Sequence, residues 1–190
     1  MSSVVESFKW GSHMKTRTAA FAFVLVAIII LGCSARAQGR RSPHERTAVV
    51  TVDGSEMFVE YGRPSARGRK IFGSLIRWDE IWCPGADEAT YLSTTKSLKV
   101  GSLVLAAGKY SLWIQPTEDV WTLIFNSEWD TFHTAHRPRT DVGKVPMQKE
   151  TLPDNVEQLT FTIEPTKPGA GGRLAMAWAT TKVSVPFTVE

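Results

Sequence analysis

Cysteine is almost missing from this chain. Its 190 residues include two, Cys33 and Cys83, too few for the multi-bridge framework of a small secreted scaffold. No Cys-x-x-Cys or mixed Cys/His spacing matches a zinc site. Neither a disulfide network nor a structural metal can carry the fold, so an apolar core must. Histidine is sparse too, at four residues. There is no His-Glu-x-x-His, no Gly-x-Ser-x-Gly and no phosphate loop. Those absences remove the motif-borne signatures of zinc peptidases, α/β-hydrolases and nucleotide-binding enzymes, and no cofactor is indicated. Internal repeats and long amphipathic helical periods are lacking as well, which excludes solenoids and helical bundles.

A real excess of positive charge is also absent. The formal net charge is +3, but Lys9, Lys15, Arg17 and Arg36 all precede Gln38, against Glu6 alone among the acids. What remains is balanced at 18 cations and 18 acids. A neutral domain argues against nucleic acid as a partner, so any basic site must be local.

One long apolar run exists. Ala19 to Leu31 is uncharged, follows Lys15 and Arg17, and leads into small residues. Residues 14–37 thus read as a secretory signal, the run being short for a membrane span. A retained anchor is the alternative. Ile30-Leu31-Gly32-Cys33 resembles a lipobox, with a less usual leucine at its middle position, and would place a lipid on Cys33. Ala35-Arg36-Ala37 matches an Ala-x-Ala site that would release a soluble protein beginning at Gln38. The lipobox reading makes the protein an exported, periplasmic or outer-membrane-associated lipoprotein held on a membrane surface. Residues 1–13 read as a non-native or over-extended start, and 38–46 as a linker.

The remainder, 47–190, reads as a single all-β domain. Short runs rich in Val, Ile, Thr and aromatics are separated by Gly, Pro, Asp and Asn. Residues 47–52 and 56–61 flank Asp53-Gly54, a hairpin signal. Further strands are read at 89–95, 98–105 (with a turn or bulge at Gly101), 109–115, 120–126, 157–164, 173–179 and the C-terminal VSVPFTVE. Tyr110, Leu112 and Ile114 share one face, as do Trp121, Leu123 and Phe125, then Leu159, Phe161 and Ile163, then Leu174, Met176 and Trp178. Pro186 suggests an edge strand or an edge-facing one. Roughly nine or ten such strands predict a two-sheet antiparallel β-sandwich, with a jelly-roll-like arrangement or a barrel as alternatives. The long loops fall at 62–88 and 127–143, with a Gly/Pro turn at 165–172.

The first long loop opens with YGRPSARGRK, where Arg63, Arg67, Arg69 and Lys70 stand among two glycines and a proline. Pro64 and the glycines constrain the backbone, and arginine presents a planar fork suited to carboxylate or phosphate. Two readings stay open. The cations face Asp87 and Glu88 and clasp two loops together, or they form an anion pocket with Trp82 beside it. Asp87 and Glu88 are adjacent, so on extended chain they point apart and do not make a catalytic pair. His133 and His136 are weak metal candidates, with His44 a distant third; a solvated polar loop is the alternative. Cys83 has no activating neighbour in sequence and reads as a buried thiol. Trp121 and Trp178 read as core. Trp113 lies on the opposite face of its strand, exposed or under a loop, and Trp78, Trp82 and Trp129 lie at the long loops.

Five segments carry a resemblance: SPHE at Ser42–Glu45, then YGRPSARGRKIFGSLIRW, IWCPGADEAT, LAAGKYSLWIQP and WTLIFN. From about Ser42 to the C-terminus the chain resembles the bacterial family catalogued as domain of unknown function 2911. Its pattern runs YGRP-x-x-x-GRKIFG, then WRTGANEAT, then AGxYSL, then WTxxFN. Cys83-Pro84 stands where the family has Arg-Thr, and Asp87 where it has Asn; if that arginine and asparagine contact a ligand in relatives, the contact is altered or lost here. The resemblance implies an exported bacterial protein and supplies no reaction. The expected function is a ligand-binding or protein-contact module for a small anionic or carbohydrate ligand of the cell envelope, with no catalytic residue. The alternatives are an envelope hydrolase using Asp87 or Glu88 with a histidine, and a purely structural envelope protein. Nothing in the sequence specifies an oligomeric state.

Overall fold

The computed structural model describes residues 41–50, 56–167 and 171–190. The leader, the Cys33 lipobox, both cleavage sites, the Asp53-Gly54 turn and the middle of the 165–172 turn lie outside them. Among the described residues the fold is all-β, with one short 3-10 turn at Pro138–Thr140. No helix there is long and apolar enough to cross a membrane.

Nine strands follow in order: β1 (His44–Val50), β2 (Glu56–Gly62), β3 (Tyr91–Thr94), β4 (Leu98–Val100), β5 (Leu103–Leu105), β6 (Gly108–Pro116), β7 (Trp121–Asn126), β8 (Asp141–Lys167) and β9 (Gly171–Val189). They form one open antiparallel sheet in the order β1-β2-β3-β6-β7-β8-β9-β4-β5. The sequence predicts two separate sheets, whereas the pairing here is continuous, and β8 is the reason. Its first residues, through Met147, pair with β7, and from Gln148 onward it pairs with β9.

Much of β8 is invisible to sequence pattern, since Pro146, Pro153, Asp154 and Asn155 all disfavour a strand. The register of β8 against β9 shifts between Thr151 and Val156 and again before Thr160. Bulges of this kind absorb the turn-forming residues without ending the strand. Gly101, in the left-handed region at φ 60°, splits the expected 98–105 strand into the β4–β5 hairpin. Pro186 faces a gap in the pairing and is not on an edge strand. Its strand pairs with β8 up to Ser184 and with β4 from Phe187, so the residue that cannot donate sits at the changeover between partners.

The apolar faces read from alternation do meet. Tyr110, Leu112 and Ile114 of β6, Trp121, Leu123 and Phe125 of β7, Leu159 and Phe161 of β8, and Leu174, Met176 and Trp178 of β9 all belong to one buried cluster. Ile163 packs against it, partly buried. Each fully buried aliphatic or aromatic side chain contributes about 1.5–3 kcal/mol. The sheet curls enough to bring β2 onto β8 although three strands separate them. The Phe161 amide donates to the Tyr61 hydroxyl at 3.0 Å, and the two rings meet edge to face at 5.0 Å. Trp113 is covered, at 2 % exposure, and packs with Cys83, Ala89 and Ile124 in a smaller cluster.

The segment expected as a linker through residue 46 is shorter than that. Strand β1 begins at His44, and the compact unit begins at Arg41. The Ser42 amide donates to Asp87 Oδ2 at 2.9 Å, and the Arg63 amide donates to the Pro43 carbonyl at 2.6 Å.

Candidate functional site

The two long loops are stitched to each other and to the strands. In the first, the Trp82 and Ile114 amides exchange hydrogen bonds with each other's carbonyls, both at 2.9 Å. The Leu159 amide reaches the Pro64 carbonyl at 3.0 Å, and the Ala66 amide reaches the Glu157 carbonyl at 2.8 Å. The second loop joins the first through the Ala89 amide on the Thr131 carbonyl at 2.9 Å and the His133 amide on the Asp87 carbonyl at 3.2 Å. Glycine is required at one of these seams, because a Cβ on Gly62 would lie 2.2 Å from the Ala86 carbonyl oxygen.

The cationic bend turns through Arg67, held at φ 52°, and Gly68 at φ 68°. Its charges are placed differently from the expectation that all four face Asp87 and Glu88. Arg63 is an internal clasp. Its Nε donates to the Leu159 carbonyl at 3.1 Å, a terminal nitrogen donates to Thr160 Oγ1 at 2.8 Å, and it forms an ion pair with Glu45. Its fork is thereby used within the fold. The Arg67 amide is held by the Glu157 carboxylate at 2.8 Å, while its side chain and that of Lys70 point to solvent. Arg69 curls over its own loop, donating from Nε to the Ala66 carbonyl at 2.9 Å and from a terminal nitrogen to the Ser65 carbonyl at 2.7 Å.

The acids have other partners. Asp87, at φ 68°, holds the Ser42 amide. Glu88 pairs with Arg41 and takes a 3.2 Å hydrogen bond from His44 Nε2. Its own backbone N–H, with Arg41 and His44 behind it, holds the carboxyl below the usual carboxylate range. A carboxylate shifted that way stays ionised near neutrality and is a poor general acid. Glu88, His44 and Arg41 border a shallow depression of about 270 Å³.

A larger cleft, about 430 Å³, lies between the loops and brings together residues that sequence kept apart. Arg69, Trp82, His133 and His136 line it, together with Trp113, Trp178 and Cys83; no aspartate or glutamate is in the lining. Trp82 stacks on Trp178, ring centroids 6.1 Å apart, and is the more exposed of the two. Its Nε1 is buried with no acceptor among the described residues. Phe72 packs behind these rings in the core, edge-on to Trp121 at 4.6 Å, Trp82 at 6.2 Å and Trp178 at 6.3 Å. Cys83 is buried, and its sulfur receives the Thr90 amide at 3.2 Å. Burial pushes the thiol up to about 12, so it is not the thiolate that nucleophilic catalysis needs.

Both cleft histidines are oriented. His133 Nδ1 lies 2.6 Å from the Asp87 carbonyl, an acceptor, so this nitrogen carries the proton. His136 Nε2 lies 2.8 Å from Asp141 Oδ1. That carboxylate also accepts from Asn126 Nδ2 at 2.9 Å and faces Lys144 at 3.6 Å. His136 therefore donates as well. Among the described residues, no group of three or more His, Cys, Asp or Glu is placed to share a metal ion. His44 lies with Glu88, in the other depression.

The cleft roles of Trp113, Trp178 and Pro64 were not legible in the sequence. Trp178 reads as core and Trp113 as exposed or under a loop, and both are buried. Only the meeting of two distant loops makes them walls.

The chain belongs to the family described as "Protein of unknown function (DUF2911)", whose model matches residues 42–187. No curated protein matches this chain, and no solved structure does.

Proposed function

We propose that this protein is an exported envelope lipoprotein whose two long loops form a non-catalytic binding cleft for a small anionic ligand with a ring in it. An acidic sugar is the class that meets both requirements. The observation that carries the reading is the lining itself: Arg69 and Trp82 share one 430 Å³ cleft that has no carboxylate in its wall. A guanidinium already oriented by two backbone carbonyls loses little freedom when it meets an anion. The volume lies in the range of small-ligand sites, and aromatic walls with few polar groups are their usual lining. The same reading takes the curled sheet as a sandwich bent at β8, supported by the Tyr61–Phe161 contact. It takes Cys33 as the lipid attachment.

A thermal-shift and calorimetric screen of acidic, neutral and basic monosaccharides tests the cleft. Acidic sugars are expected to stabilise the wild type, and Arg69→Ala and Trp82→Ala each to remove the response. A response to neutral and basic sugars alone, or hits unaffected by both variants, sinks it. Mass spectrometry of the envelope protein tests the address: a lipidated Cys33 supports it, and a chain beginning at Gln38 refutes the anchor.

A further inference from the structure

We infer that His133 and His136 together form an open, two-nitrogen site for an imidazole-preferring transition-metal ion inside the cleft. The inference rests on the cleft being the functional site, but not on the nature of its anionic ligand. Each imidazole has two nitrogens, and in the neutral ring one donates and one accepts. In both rings the donating nitrogen is committed inward. His133 gives Nδ1–H to the Asp87 carbonyl, and His136 gives Nε2–H to the Asp141 carboxylate. What is left is a lone pair on His133 Nε2 and another on His136 Nδ1, neither with a hydrogen-bond partner among the described residues. Both rings line the same cleft.

A ring that donates one N–H to a carbonyl or carboxylate and keeps the other nitrogen open is the arrangement found behind metal-bound histidines, where the outer acceptor sets the tautomer and raises ligand basicity. The outer shell here is firm. Asp141 is 9 % exposed at its side chain and His136 11 %, and Asn126 braces the carboxylate from the other side. The His136 ring also lies against Trp113, centroids 4.8 Å apart. With no third protein ligand grouped with them, the site is not a closed structural one. Its other positions are left to water or to an anion entering the cleft, the mark of sites that exchange ligands. Cu(II) suits two imidazole nitrogens and leads the affinity series.

The probe is Cu(II) alone, titrated into the full chain without sugar and followed by calorimetry and electron paramagnetic resonance. The expected result is one bound ion with coupling to two nitrogens, and affinity that falls on acidification as protons compete for the same lone pairs. His133→Gln and His136→Gln are each expected to weaken binding by about tenfold or more. His133→Gln keeps the inference testable if loss of the His136–Asp141 pair unfolds the chain. His13→Gln and His44→Gln serve as controls and leave binding unchanged. No binding, binding lost with His13 or His44 instead, or Cu(II) coupled to fewer than two nitrogens overturns it. Arg69→Ala separates the two proposals, because it removes the sugar response and leaves the copper site intact.

Discussion

Replacing Arg63 with alanine distinguishes a clasp from a pocket. The side chain is 24 % exposed and joins β1, the end of β2 and β8. It donates to the Leu159 carbonyl and to Thr160 Oγ1. Hydrogen bonds from a charged donor contribute about 1.5–3 kcal/mol each, and partial exposure favours the lower figure. The ion pair with Glu45, whose side chain is 39 % exposed, adds at most about 1 kcal/mol. Arg63→Ala should therefore cost roughly 3–4 kcal/mol. In a domain of this size that lowers Tm by roughly 6–16 °C. Arg63→Lys keeps a charge near Glu45 but cannot reproduce the fork, and should recover less than half of the loss. Arg67→Ala, which removes an exposed side chain from the same bend, should stay within about 0.5 kcal/mol of wild type. The assay is equilibrium unfolding in urea with the m-value compared across variants. An Arg63→Ala protein as stable as Arg67→Ala would refute the clasp.

Three further outcomes follow from the geometry. Phe72→Ala opens the contact among Trp82, Trp121 and Trp178 and should cost about 3–5 kcal/mol with a red shift in tryptophan emission; unchanged emission would count against that packing. Gly62→Ala drives a Cβ against the Ala86 carbonyl. It should cost about 2 kcal/mol or more and raise hydrogen exchange at the Ala89 and His133 amides that join the two loops, so wild-type exchange there would contradict the seam. Cys83 sets an alkaline limit. Its thiol is held at about 12 in the native state against 9.0 for a free one, so above about pH 9 the unfolded chain sheds a proton that the native chain keeps. Stability then falls as pH rises, by up to about 1.4 kcal/mol per pH unit, until the native thiol also titrates. Tyr61, raised chiefly by burial, acts with the same sign. Cys83→Ala should flatten the decline measured by urea unfolding between about pH 9 and 11, and an undiminished slope would rule Cys83 out.

Local chemistry announced much of the fold. Tyr110, Leu112 and Ile114 fall two apart, and a pleated strand puts such residues on one face; that the other face of β6, with Ser111 and Trp113, is buried too came only from the loop packed over it. Strand β8 was hidden for the opposite reason. Pro146, Pro153 and Asn155 speak for turns, and only pairing with β7 at its start and with β9, in a bulged register, beyond it holds the strand extended. The site was half visible. Arg69 and Trp82 could be named as candidates because a constrained basic bend and a loop tryptophan are unusual in themselves. Which arginine would line the cleft could not be read, because Arg63, Arg67 and Arg69 carry identical side chains.

By itself, then, the chain's order of residues determined an all-β domain without disulfides, the faces that must be hidden and the two loops left over. Those follow from interactions between near neighbours and from the cost of leaving apolar surface in water. Tertiary structure alone decided that β8 would join everything into one sheet. It alone turned Arg63 inward to the Leu159 carbonyl and left Arg69 at the cleft with Trp82, His133 and His136. A side chain's partner is whatever the fold brings within about 3 Å, and residues as far apart in sequence as Arg63 and Thr160 meet only once the sheet has curled.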